Sequence, residues 1–153
     1  PYGDLSRVSF VMAGPYVPEG LSSLAPSSHL DLMPTLLELA GLGDGGARLD
    51  GESLVPVLEG RAPERQARYL EFHPRIDQRV YNHTIVTEAW RLTLYPQSGE
   101  DWGELFDLRD DPGEHRNLFH DADYDFIRDR LTQRLNEDFA AAPQAGTDLI
   151  AKW

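Results

Sequence analysis

The sequence predicts an α+β fold: a small four-stranded antiparallel sheet covered by a C-terminal helix, with a strand and a helix in front of it. Three observations predict it. Residues 67–72, 79–87, 90–95 and 104–108 alternate apolar and polar side chains over runs too short for helices. Residues 123–141 repeat apolar side chains at helical spacing, and residues 31–40 do so over a shorter span. Turn-forming residues separate all of these runs.

Taken in order, residues 5–13 read as a strand with Val8, Phe10 and Met12 on one face, ended by Gly14-Pro15 and a further turn at Pro18-Glu19-Gly20. After a small polar linker at 22–28, Asp31 is placed to cap a helix through Ala40, and Pro34 falls in the first turn. Leu32, Leu36, Leu39 and Ala40 share its apolar side, and Gly41 stands where a left-handed C-terminal cap belongs. The glycine-rich segment 41–51 is a flexible link. Ser53 is placed to cap a single turn in which Leu54, Val57 and Leu58 share a face, closed by Gly60, and 61–66 is a polar link.

In the sheet, Glu88-Ala89 has the length of a two-residue hairpin, although neither residue favours the positive φ of primed turns. Trp90, Leu92 and Leu94 then face one side, and Arg91, Thr93 and Tyr95 the other. Asp110-Asp111-Pro112-Gly113 stops the fourth strand, because proline lacks the ladder donor and suits a turn corner. The apolar face needs a cover. Tyr124, Ile127, Leu131, Leu135 and Phe139 supply it along the last helix, capped by Asp121 or Asp123, with Arg128, Arg130, Arg134 and Glu137 off the stripe. Residues 143–153 read as a tail that docks through Ile150 and Trp153. No internal repeat is visible.

Composition narrows the functional classes. Formal net charge is −12, from 26 acidic and 14 basic residues, which repels nucleic acid and anionic lipid. Thirteen of the 14 basic residues are arginine, the better bidentate partner for carboxylates. No run approaches the roughly 20 apolar residues of a membrane span, and no secretory leader pattern is present. The absence of cysteine removes disulfides, thiolate metal sites and cysteine nucleophiles, and leaves the compartment undetermined. The chain opens on Pro1 without an initiating methionine, so it is read as a processed, excised or incomplete chain.

Few residues suggest chemistry by themselves. His115 and His120 have the spacing of half a zinc site, but no second pair accompanies them, and a loop role explains them. His29 suits a hydrogen bond at helix entry. His73 and His83 are able to meet across adjacent strands near Arg75, Asp77 and Asn82, as a substrate-contacting cluster or as a solvated hairpin rim. The Asp110-Asp111 and Asp121-Asp123 pairs fit turn and cap chemistry. There is no G-x-S-x-G elbow, phosphate-cradling glycine loop or H-E-x-x-H.

Five stretches in series resemble the C-terminal part of sulfatases, in the alkaline-phosphatase-like superfamily. Residues 2–20 resemble the family's Y-E-x-x-x-R-V-P strand and G-P-G-V-P turn, with Gly3 in place of Glu and Ser9 in place of Pro. S-H-L-D-L-M-P-T-L-L-E-L-A-G-L (28–42) is similar to S-H-x-D-L-x-P-T-L-L-x-L-A-G, and D-G-E-S-L-V-P-V-L-E-G (50–60) to D-G-x-S-L-x-P-x-L-x-G. V-T-E-A-W-R-L-T-L-Y (86–95) resembles R-T-x-x-W/Y-K-L, and E-L-F-D-L-R-D-D-P-G-E-H-R-N-L (104–118) resembles L-Y-D-L-x-x-D-P-x-E-x-x-N-L.

The resemblance implies that residues 1–60 are a strand–helix piece at the edge of the larger alkaline-phosphatase-like α/β sheet. Residues 61–142 would form the C-terminal antiparallel-sheet subdomain, and 143–153 the tail. It implies hydrolysis of sulfuric esters in the full-length enzyme, using a formylglycine made in a Cys/Ser-x-Pro-x-Arg motif and a divalent metal, usually calcium. That motif does not occur in this chain, and the family's last active-site lysine would fall just before Pro1. The chain alone is therefore expected to be inactive, to hold no metal, and to need the N-terminal catalytic portion as its partner. Arg7 and Asp31 match structural family positions. His73, Arg75, Asn82 and His83 are expected to contact a small-molecule or glycan sulfate ester. The alternatives are a stand-alone binding or structural module with this fold, or part of a phosphonate or phosphate ester hydrolase. Apolar area exposed in residues 1–60 is expected to favour self-association.

Overall fold

A computed structural model describes residues 8–43, 49–61, 66–72, 81–96 and 102–141, with side chains to residue 138. The four alternating runs form β1 (Ala67–Phe72), β2 (Asn82–Thr87), β3 (Trp90–Leu94) and β4 (Gly103–Asp107). They pair in chain order, each antiparallel to the next. The register aligns Tyr69, Ile85, Leu92 and Leu105 in one row across one face. Helix α3 (Asp125–Ala141) lies on that face, where Leu131 and Leu135 meet Ala67, Ile85, Leu92 and Leu105, joined by Leu118 and Phe119. Each fully buried aliphatic side chain here stabilises by about 1.5–3 kcal/mol before the entropy of ordering is set against it. Trp90 and Tyr124 close the margin edge to face, with centroids 5.9 Å apart. Arg134 and Asp138 of α3 both bond the Tyr69 hydroxyl, and partial burial with the Asp138 contact raises that phenol above its ordinary pKa.

The β2–β3 hairpin turns without positive φ at Glu88 or Ala89. Thr87 replaces the primed-turn geometry: its Oγ1 accepts from the Trp90 N–H at 2.9 Å and lies 3.2 Å from the Trp90 carbonyl. Asp121 caps the single 3₁₀ turn Ala122–Tyr124 that leads into α3, so of the two expected capping residues Asp121 is the one used.

In front of the sheet, a 3₁₀ turn His29–Asp31 runs into helix α1 (Leu32–Leu39), and helix α2 covers Val55–Leu58. One expectation is corrected here. Asp31 holds the N-cap position of α1 but its side chain makes no capping bond there; Ser28 caps the 3₁₀ turn that leads in, accepting from the Leu30 N–H while Asp31, three residues on, accepts from the Ser28 N–H. The capping side chain lies three residues earlier because the 3₁₀ turn extends the helix backwards. The strand expected over 5–13 is also corrected for the part described: residues 8–13 are irregular and pair with no strand among the described residues, and Val11 is 90% exposed. Alternation alone makes no strand, because each ladder bond needs a neighbouring chain to receive it. Arg7 and the tail 143–153 lie outside the described residues.

The second face of the sheet is buried too, although its residues read as polar. Arg68, Thr84, Arg91 and Thr93 are all buried on it, and the two threonine hydroxyls bond each other at 2.9 Å. Arg91 is paired with Glu114 at 3.0 Å, with both side chains nearly inaccessible. Arg68 reaches Asp31 at 3.1 Å.

Candidate functional site at the loop-bearing end of the sheet

In this meander β1 and β3 end, and β2 and β4 begin, at the same end of the sheet. On the second face, Phe72 pairs with Asn82 in the register. The pairs His83–Leu94 and Leu94–Gly103, continued by one residue, set Tyr95 beside Asn82 and Trp102 beside Tyr95. Phe72, Asn82, Tyr95 and Trp102 therefore form one row at the sheet's edge. The Tyr95 and Trp102 rings stack with centroids 5.4 Å apart and planes 28° apart. Tyr95 donates through its hydroxyl to Glu104 at 3.1 Å, in the next row. Phe72 and Trp102 are 50% and 58% exposed, whereas Asn82 is 7% exposed and its Oδ1 has no hydrogen-bond partner among the described residues.

The four expected substrate contacts distribute unevenly over this end. Asn82 and His83 are adjacent on β2 and so point to opposite faces. His83 is half-buried on the helix-covered face and packs against the Tyr81 ring at 5.4 Å. His73 and Arg75 lie outside the described residues. The aromatic members Phe72, Tyr95 and Trp102 were not among the expected contacts; the period-2 parity that puts Tyr95 with Arg91 and Thr93 was the signal that could have found them. His115, 85% exposed at its side chain, bonds Asp111 among the described residues. Among the described residues no three His, Asp or Glu side chains are grouped to hold a metal ion.

Two buried polar centres tie the sheet to the segments around it, through Arg68 and Arg91 at the other end of the second face. Asp31 accepts from the N–H groups of Ser28 at 2.7 Å and Glu52 at 2.9 Å and from the Arg68 guanidinium. Thr35 links the same pieces, donating to the Asp31 carbonyl and accepting from the Leu54 N–H. Gly51 sits so close to the Leu30 backbone that an added Cβ would come within 2.0 Å of its carbonyl oxygen. The second centre is the 104–118 stretch. Asp111 accepts from the N–H groups of His115 and Arg116, Glu114 turns at φ 56° to meet Arg91, and Asn117 clamps β4. The clamp consists of Asn117 Oδ1 accepting from Leu105 and Phe119 N–H while its Nδ2 donates to the Gly103 carbonyl. Asp111, Glu114 and Asn117 are the D, E and N of the D-P-x-E-x-x-N-L pattern, and each has a defined bonding role.

Residues 2–141 match the family described as N-sulphoglucosamine sulphohydrolase, C-terminal. The chain belongs to this sulfatase C-terminal family. Curated relatives agree. A Δ4,5-hexuronate-2-O-sulfatase of Bacteroides thetaiotaomicron is 30% identical over 132 residues, 82% of this chain and 27% of that protein. An N-acetylglucosamine-6-O-sulfatase of the same organism is 30% identical over 143 residues, 89% of this chain and 25% of that one. Among solved structures, a protein in complex with its substrate D-glucosamine-2-N,6-O-disulfate superposes with TM-score 0.61 at 29% identity, over 72% of this chain and 23% of that chain. A phosphonate monoester hydrolase of Agrobacterium radiobacter gives 0.59 at 30% identity, over 72% and 24%. The chain thus spans about a quarter of the length of the curated sulfatases it matches. Its sheet and C-terminal helix have the alkaline-phosphatase-like α+β arrangement of these sulfatase C-terminal domains.

Proposed function

We propose that this sulfatase C-terminal domain acts as one wall of the substrate cleft of a sulfuric ester hydrolase, completing a catalytic portion that supplies the formylglycine and the divalent metal, calcium by family habit. The carrying observation is the family match over residues 2–141. The loop-bearing sheet end is the surface assigned to substrate, with His73, Arg75, Asn82 and His83 as contacts. An anionic ester approaching a chain of net charge −12 needs local cations; among these four contacts Arg75 supplies the cation. Residues 1–60 would sit at the edge of the larger α/β sheet, and 61–142 would form the subdomain beside the cleft.

The likeness to a phosphonate monoester hydrolase supports a second reading, in which the ester is a phosphonate. The experiment joins this chain in frame to the catalytic portion of the N-acetylglucosamine-6-O-sulfatase relative, with its nucleophile matured and calcium present. The joined protein should hydrolyse N-acetylglucosamine 6-sulfate or 4-nitrophenyl sulfate, and the 153-residue chain alone should turn over neither. Turnover of a phosphonate monoester alone would favour the second reading. A folded, metal-loaded hybrid that cleaves neither ester would overturn the proposal, as would sulfate hydrolysis that follows the isolated chain through purification.

A further inference from the structure

We infer that the edge row Phe72–Asn82–Tyr95–Trp102 is a platform for a pyranose ring, so that the substrate class is a glycan and this row holds the sugar while the sulfate lies off it. The inference deepens the cleft reading above and rests on it. Trp102 offers more than half of its surface to solvent while its ring is held in place by the stack on Tyr95. Tyr95 is in turn fixed by its bond to Glu104. An exposed ring that is rigidly backed gives up little side-chain entropy on binding. The weakly positive C–H face of a sugar lies against the negative face of such a ring, an attraction that does not depend on the charge of the ligand. That independence suits a chain of net charge −12. Phe72, half exposed at the other end of the row, bounds the platform.

Asn82 supplies the polar element. Its Oδ1 is buried without a partner among the described residues, and in the register Asn82 stands between Phe72 and Tyr95. Buried acceptors in folded proteins are nearly always paired. A sugar ring hydroxyl has the size and the proton to pair with this one. One or two placed polar groups among aromatic walls is the usual make-up of a small-ligand site.

The test uses the 153-residue chain and three probes, N-acetylglucosamine, N-acetylglucosamine 6-sulfate and inorganic sulfate, read in the parent by the Trp102 indole N–H signal in NMR and in the Trp102 variants by titration calorimetry. Both sugars should shift that signal and saturate within a few-fold of each other; inorganic sulfate should not shift it. Trp102→Ala should weaken sugar binding about fivefold to tenfold, the range set by aromatic stacking. Trp102→Phe should retain most of the affinity. An unchanged thermal melt for both variants shows that the exposed ring was not holding the fold. No shift with either sugar, an equal shift with sulfate, or undiminished binding to Trp102→Ala would overturn the platform. In the joined enzyme Trp102→Ala should raise KM and leave kcat unchanged. Sulfate hydrolysis that survives with no sugar binding sinks the platform alone, whereas sugar binding without hydrolysis sinks the cleft reading.

Discussion

Asp31 concentrates more of the front of the molecule than any other side chain described: two backbone N–H groups and one guanidinium end on its two oxygens, with no solvent access. Replacing it leaves the Arg68 charge buried beside a lost partner, and removing one member of a buried pair costs about 3–5 kcal/mol. Asp31→Ala should therefore lower the unfolding free energy from urea titration by that order, shift the midpoint down, and speed amide exchange at Glu52. Asp31→Asn, which keeps an acceptor oxygen but no charge, should fall between. A midpoint within error of the parent would refute the hub role. Asn117 is the equivalent for β4. Asn117→Ala strands the Leu105 and Phe119 N–H groups, each about 1–3 kcal/mol when left unsatisfied and buried. Asn117→Asp keeps the acceptor and should lose less, because only the bond to the Gly103 carbonyl goes. Equal losses for the two variants would show that the side chain matters through packing and not through these bonds.

At the scale of elements, the turn after β4 makes its stability depend on acid. The Arg116 N–H, then the His115 ring, hold the Asp111 carboxyl below its usual value of 3.8. A folded pKa lowered in this way gives stability that is complete above 3.8 and is lost as pH falls through the folded value. Comparing Asp111→Asn with the parent across pH should give a stability difference that is constant near neutrality and closes below about pH 4. A gap that persists unchanged in acid would place the effect elsewhere. The same turn shows what was legible in sequence. The strands were readable because the centre of the helix-covered face is apolar: Ile85, Leu92 and Leu105 are all fully buried. The burial of the opposite face was not, because Arg68, Thr84, Arg91 and Thr93 look like solvent-facing residues until their partners Asp31 and Glu114, far away in sequence, are placed. For the same reason Asn82 was readable as a polar candidate, but its aromatic neighbours Tyr95 and Trp102 were not. Their shared row exists only once the register of three strands is fixed.

At the scale of the whole molecule, the two halves differ in how well they cover their apolar side chains. The sheet and α3 bury Ile85, Leu92, Leu105, Leu131 and Leu135 together, whereas α1 and its approach leave Leu30, Met33 and Leu36 largely exposed at helical spacing, with Leu42 at 70%. Contiguous apolar patches on soluble proteins mark contact surfaces. We propose that this surface is covered by the catalytic portion in the complete enzyme, consistent with a chain that spans about a quarter of its relatives. The isolated chain should then self-associate reversibly, giving a light-scattering mass above the 17.2 kDa of one copy and rising with concentration. Leu30→Ser, Met33→Glu and Leu36→Lys together should restore a single copy without lowering Tm, since these side chains pack against little in the described structure. Joining the chain to a catalytic portion should abolish the association without any substitution. A parent chain that runs as one copy at every concentration, or a triple variant that still associates, would show that the exposed α1 face is not a contact surface.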